Sequence, residues 1–167
     1  PKEGPILQSQ PTDFLQTFHE HLISNLEISK LVIPSMKEAC FGRIINIIST
    51  SVKIPIANLG VSNTIRAAVA SYAKTLSLEV APFGITVNSV LPGATYTDRL
   101  KDLIENRAKN EKISISEAEN KFKSVIPMKR FASPDEIANL VGFLASQSTS
   151  YITGTAIPVD GGRTGCL

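Results

Sequence analysis

Several side chains in this 167-residue sequence are of types that can handle a small molecule. Ser49 ends the run Arg43-Ile44-Ile45-Asn46-Ile47-Ile48, and Ser49-Thr50-Ser51 then offers three hydroxyls. A run of that kind reads as a buried parallel strand. In open α/β sheets, ligands bind beyond the carboxyl ends of the strands, so a serine there is placed to orient a carbonyl. The plain alternative is a polar strand cap. His21 is the side chain whose ordinary pKa, near ~6.5, suits acid/base work at neutral pH. Half-buried on a helix, it would have no such role. Arg66 carries a planar fork that stays protonated, so it can hold hydroxyls or an anion but cannot shuttle a proton. It could equally serve a surface ion pair. Ser62, one helical turn before it, can cap a helix or present a hydroxyl. Tyr96 is a phenol in the loop that follows the Pro92-Gly93 turn, between Thr95 and Thr97.

The elements that would position these groups follow from periodicity. Pro1 to Pro11 reads as loop. Phe14, Phe18, Leu22, Leu26, Ile33 and Met36 recur at helical spacing, which predicts a helix over 12–39 with Thr12 or Asp13 as cap. Pro34 should kink or close it, and Gly42 should stop it. After the strand at 43–48, a loop runs to about Val61. A second helix at 62–80 presents Ile65, Val69, Tyr72, Leu76 and Val80 on one face, with Ala67, Ala68, Ala70 and Ser71 keeping it narrow. Pro82-Phe83-Gly84 breaks it. Ile85 to Val90 is the next strand, closed by Leu91-Pro92-Gly93. The stretch 97–123 predicts two short charged helices, with Ser116-Glu117-Ala118-Glu119 as a capping box for the second. Ser133-Pro134-Asp135-Glu136 is a helix start: cap, proline at the first turn, then acids for the dipole. Thr155 to Val159 is a short last strand. Strands alternating with helices imply right-handed crossovers and a parallel sheet. Three strands are few for such a sheet, so the order predicts part of a larger doubly wound one.

Composition excludes some classes. Apolar residues at 43% and charged residues at 19% indicate a globular chain. A net charge of +2 is too small to imply a nucleic-acid partner. No apolar run approaches the roughly 18 residues of a membrane span. Cys40 and Cys166 stand in no metal-ligand spacing, so no metal site is expected, and scattered thiols suit a cytoplasmic location.

Five tracts carry a resemblance to a known family. Gly42-Arg43-Ile44-Ile45-Asn46-Ile47-Ile48-Ser49 resembles the strand that ends at the catalytic serine of short-chain dehydrogenases/reductases. Pro82-Phe83-Gly84-Ile85-Thr86-Val87-Asn88-Ser89-Val90-Leu91-Pro92-Gly93, with Thr97 after it, is similar to that family's P-x-G-I-x-V-N-x-V-x-P-G signature. Asp135-Glu136-Ile137-Ala138 through Ser146 resembles its last long helix. Tyr151-Ile152-Thr153-Gly154 and Val159-Asp160-Gly161-Gly162 resemble its tail. In style the chain looks most like the 3-oxoacyl-acyl-carrier-protein reductases. The resemblance implies an α/β, partial Rossmann fold: one incomplete domain over 1–167, with a substrate lid at 98–124.

Two departures bear on activity. The family's G-x-x-x-G-x-G strand–turn–helix and the N-N-A-G-like turn after it do not occur in these residues. That glycine loop lets the backbone approach a pyrophosphate, so the 167 residues alone are expected to bind neither NAD nor NADP. Second, the family's Y-x-x-x-K slot aligns with Ser62 through Arg66, and its structural asparagine with His21. Tyr72 and Lys74 lack the motif spacing. The resemblance implies an oxidoreductase using NAD or NADP on a small carbonyl or alcohol. Ser49 would orient the carbonyl and Arg66 hold the ribose. Pro92, Gly93, Thr95 and Thr97 would flank the cofactor, and the proton would come from His21, Tyr96 or water. Ser62 cannot simply replace the tyrosine, since an aliphatic hydroxyl is a far weaker acid than a phenol of pKa ~10, so a weak or inactive enzyme is expected. The alternatives are a halohydrin-dehalogenase-like protein, which Arg66 echoes, and a catalytically silent subunit. No nucleic acid or membrane partner is expected. A homodimer or homotetramer is, through the helices at 12–39 and 62–80, which resemble the family's dimer-forming pair; the open edge of the strand at 43–48 would otherwise lead to aggregation.

Overall fold

The computed structural model describes residues 3–165. Pro1 and Cys166, both noted in the sequence, lie outside them. A short 3-10 turn, Ile6–Gln8, leads into α1, Pro11–Phe18. Its cap is Gln10, not Thr12 or Asp13; Asp13 instead accepts the Gln10 backbone N–H at 2.9 Å from the third helical position. The helical period continues into α2, Ser24–Glu38, but a π turn, His19–Ile23, intervenes. The Ser24 N–H reaches back five residues to the His19 carbonyl, and the Ser24 hydroxyl donates to the same oxygen at 3.0 Å. Pro34 lies inside α2 without ending it. The disturbance therefore falls at His19–Ile23, ahead of the proline that was expected to cause it.

Strand β1, Gly42–Ile47, pairs in parallel with β2, Ile85–Pro92, which pairs in parallel with β3, Ala156–Val159. The order is β1-β2-β3, with Ile44 beside Val87 and Val90 beside Ile157. Between β1 and β2 runs α3, Gly60–Val80. Strand β2 is the centre of the core: Ile85, Val87 and Leu91 pack toward α3, and Val90 packs toward α6, Pro134–Ala145. This two-sided burial explains why β2 reads as apolar almost throughout. Gly84 turns the chain between α3 and β2 with φ +71°, against the Cys40 carbonyl, where a side chain has no room.

Helices α4, Asp98–Glu111, and α5, Ile115–Ser124, follow β2. The cap of α5 is Ser114, which exchanges hydrogen bonds with Glu117. The Ser116 register is thus wrong by two residues. With Ser114 as cap, Ala118 is fully buried and Phe122 packs on the cluster of Leu100, Ile104, Ala108, Ile126 and Phe131. That cluster holds the α4–α5 pair together. The cap of α6 is Ser133, as expected, and Glu136 completes the box while Arg130 grips its carboxylate with two bonds of 2.7 Å. Arg130 and the capping bonds hold the Glu136 carboxyl down at about 2. Among the described residues no helix is long and apolar enough to cross a membrane.

The fold is α/β, a partial Rossmann arrangement with a parallel sheet and helices on both faces. All three strands end on one edge, and α3 begins there.

Candidate functional site

That edge gathers the candidate residues. Ser49 follows β1 after Ile48, half-buried, and its Oγ accepts the Ser51 N–H at 3.1 Å. Its own proton remains available to donate. The 3-10 turn Thr50–Val52 is therefore a local clamp on the serine. Pro92 ends β2, and the Gly93 N–H donates to the Val159 carbonyl at 2.9 Å. A Cβ on Gly93 would run into Asp160, so the β2 and β3 ends approach closely only with glycine at this turn.

Ser62 is not a helix cap. Helix α3 starts at Gly60, Leu59 holds the cap position without a side-chain bond, and Ser62 lies within the first turn, 8% exposed. Gly60 and Val61 adopt helical geometry that a loop reading of the segment missed. From there the Ser62 hydroxyl meets Arg66 one turn on. Arg66 Nε donates to Ser62 Oγ at 3.1 Å, and Arg66 Nη1 donates to the Ile48 carbonyl at 2.8 Å. The guanidinium so ties the start of α3 to the residue just before Ser49. Among the described residues its Nη2 has no hydrogen-bond partner. Burial, then the charge of Arg99, moves the Arg66 pKa below its ordinary value, although a guanidinium stays protonated at neutral pH.

His21 and Arg66 line one cavity of about 180 Å³, with Glu20, Asn25, Asn46 and Ile48 also on its wall. The π turn carries His21. Such turns inside α-helices are frequent at functional sites, because one extra residue redirects the side chains around it. Burial, then the nearby Arg66 charge, pushes the His21 pKa below its ordinary value, against the opposing pull of Glu20. The imidazole is accordingly neutral at neutral pH. Asn46 was not among the candidates. Its Nδ2 is buried with no partner among the described residues, on the wall of this cavity. The available signal was a lone amide in the β-branched run of β1.

Ser49 and Ser62 are not on the walls of this cavity, and neither are the remaining candidates. Thr95 is half-buried, donates its hydroxyl to the Gly93 carbonyl at 3.2 Å, and bridges Ala132. Thr97 is exposed, at the cap position of α4, and makes no side-chain cap bond. Tyr96 stacks on Phe131 at 6.2 Å between centroids and is half-exposed, with the Lys101 ammonium over its ring. It is absent from the walls of the His21–Arg66 cavity. Tyr72 packs among Ile33, Met36 and Ile44 on the α2 side, and Lys74 lines a different cavity.

The residues present suit one half of a nicotinamide dinucleotide. The unengaged edge of the Arg66 fork, the Ser49 hydroxyl and the Pro92-Gly93 turn offer donors and a close backbone approach at one strand-end edge. No glycine-rich pyrophosphate loop stands among these residues, so that half of such a ligand finds no cradle here.

Known proteins resemble this chain in sequence and in fold. Residues 1–164 match the family model described as enoyl-(acyl carrier protein) reductase. NADPH-dependent reductase BacG of Bacillus subtilis is 41% identical over 150 residues, covering 90% of this chain and 58% of that protein. The 3-oxoacyl-[acyl-carrier-protein] reductase FabG of Pseudomonas aeruginosa is 33% identical over 163 residues, 96% of this chain and 61% of FabG. The crystal structure of YwfH, an NADPH-dependent reductase involved in bacilysin biosynthesis, superposes with a TM-score of 0.93 at 37% identity, over 99% of this chain and 64% of YwfH. The chain thus spans about three fifths of the length of these relatives.

Proposed function

The chain belongs to the short-chain dehydrogenase/reductase family, and on that footing we propose that the protein carrying it is a nicotinamide-dependent oxidoreductase that interconverts a small carbonyl compound and its alcohol. The observation that carries the reading is the pair of Arg66 bonds, which tie Ser62 at the start of α3 to the carbonyl of Ile48, the residue before Ser49.

In this reading Ser49 donates a hydrogen bond to the substrate oxygen and fixes the carbonyl. Arg66 presents Nη2 to ribose hydroxyls, and its charge stabilises oxyanion character developing beside Ser49. Thr95, Thr97 and the Pro92-Gly93 turn flank the nicotinamide. When bound, the cofactor supplies the hydride, and NADPH is our choice because both BacG and YwfH are named as NADPH-dependent. Proton handling falls to His21. Ser62 is too weak an acid, and Tyr96 packs on Phe131 away from Arg66. A neutral His21 at neutral pH is a base for alcohol oxidation and a poor donor for reduction, so reduction is slow near neutrality and faster in acid. Helices α4 and α5, across 98–124, act as a lid over the strand ends. Leu15, Phe18, Ile28 and Leu31, exposed on α1 and α2, and Leu78, exposed on α3, support assembly into a homodimer or homotetramer.

The test is a titration of NADPH into the complete protein, followed by loss of its absorbance with a panel of small ketones and aldehydes. Saturable binding with carbonyl-dependent oxidation of NADPH is expected. Binding without turnover across the panel and the pH range would favour a catalytically silent subunit instead.

A further inference from the structure

A cavity of about 380 Å³ is separate from the one lined by His21 and Arg66. It lies beside α3, over the centre of β2 and the start of β3. Lys53, Lys74, Ser89 and Thr155 supply its polar lining, and Ala70 and Ala73 form a low apolar wall. The volume falls within the range of small-molecule sites.

Its chemistry has one sign. Two ammonium groups and two hydroxyls line it, and no carboxylate does. Among the described residues neither lysine makes a salt bridge or a side-chain hydrogen bond, although seven other cation–carboxylate pairs form elsewhere on the surface. Lys74, exposed, lies close to the Gly154 backbone. A Cβ on Gly154 would meet Lys74 Nζ at 2.7 Å and Ser77 Oγ at 2.6 Å, so the ammonium lies down on the Gly154 backbone. Gly154 adopts φ +71° there, a conformation that favours glycine for a second reason. The floor is stitched to the sheet. The Gly154 N–H donates to the Val87 carbonyl at 2.8 Å, and the Ser89 N–H donates to the Thr155 carbonyl at 2.8 Å. Asn88 Nδ2 donates to the Ile152 carbonyl at 2.8 Å, and Asn88 Oδ1 accepts the Thr155 N–H at 3.3 Å.

A rigid concavity with two uncompensated cations at its rim concentrates anions. We propose that this cavity binds a small ligand through a phosphate or carboxylate group, with Lys53 and Lys74 neutralising its charge and Ser89 and Thr155 donating hydroxyl hydrogen bonds. Lysine suits the role as a mobile point charge that needs no planar partner. The site is independent of the redox reading, since none of its residues belongs to the Ser49–Arg66 group.

The experiment is a calorimetric titration of inorganic phosphate and, separately, citrate into the protein, with sodium chloride adjusted to hold ionic strength fixed. It is repeated on Lys53→Ala, Lys74→Ala and the double variant, with Lys30→Ala as control, since Lys30 lies on α2 and pairs with Glu27. Saturable binding is expected for at least one anion. Each cavity substitution should weaken it by about tenfold or more, the double variant should abolish it, and the control should leave it unchanged. Phosphate binding alone marks a phosphate-bearing ligand, citrate alone a carboxylate, and both an oxyanion site open to either. Absence of saturable binding by both anions overturns the proposal. So does binding whose affinity is the same in the double variant as in the parent.

Discussion

Replacing Arg66 with methionine keeps the aliphatic stem and removes both bonds that join α3 to the end of β1. The Ile48 carbonyl, on a residue only 6% exposed, then loses its 2.8 Å donor, and the Ser62 hydroxyl loses the other. A hydrogen bond to a charged group contributes ~1.5–3 kcal/mol. Arg66 is half-buried, and partial screening brings the pair together to about that same figure. At this chain length each kcal/mol moves the melting temperature by roughly 2–4 °C. The Arg66→Met protein should therefore melt about 3–12 °C lower by scanning calorimetry. If Nη2 also meets the ribose, the cofactor KM should rise by about tenfold or more in the same protein. Arg66→Lys should fall between, because a single ammonium cannot span Ile48 and Ser62 together. An Arg66→Met protein with parental melting temperature and parental cofactor KM would refute both the structural and the binding role.

If His21 donates the proton, the rate of reduction should fall as pH rises, with a midpoint below the ordinary histidine value, since burial and Arg66 disfavour imidazolium; His21→Asn should flatten the profile. The unfolded chain takes up that proton more readily than the folded one, so parental stability should also drop as pH falls below ~6.5, and less so in His21→Asn. Restoring Ser62→Tyr with Arg66→Lys should speed reduction in stopped assays by up to ~10²-fold, and Arg66→Lys alone should not, because the phenol and its ammonium act as a unit. Glu136→Gln keeps the capping geometry but loses the Arg130 pair. The parent's advantage should be present above the unfolded carboxyl value and vanish as pH falls through about 2, which thermal melts of the two proteins will read.

The strands and the Ser133 cap were legible in the sequence because their causes are local. A β-branched run bounded by Gly42 and Ser49 has few alternatives to a buried strand, and Ser133-Pro134-Asp135-Glu136 holds each signal of a helix start. Where two local signals compete, the sequence is silent. Ser114 and Ser116 each precede a glutamate by three residues, and only the burial of Ala118 against α4 selects Ser114. The π turn at His19–Ile23 has the same character. It depends on the Ser24 hydroxyl bond to His19 and on packing against α3, neither of which changes the apolar period. At the site, alignment to a family motif brought Ser62 and Arg66 forward, but the Arg66 bond to Ile48 is a contact across 18 residues that spacing does not encode. Asn46 and the Gly154–Lys74 packing were missed for that reason: each is defined by what lies across a cavity, not by its neighbours in the chain.

If the edge formed by Ser49, Ser62 and Arg66 supports carbonyl reduction with no tyrosine and lysine in the Ser62 and Arg66 positions, the complete protein must form alcohol. The most direct measurement is the rate of NADPH oxidation, matched mole for mole to alcohol formed, for the complete protein and for Ser49→Ala at saturating cofactor. Slow, enzyme-dependent turnover is expected in the parent, with a loss of about tenfold or more in Ser49→Ala and cofactor affinity preserved. No enzyme-dependent alcohol in the parent, or full activity in Ser49→Ala, would contradict it.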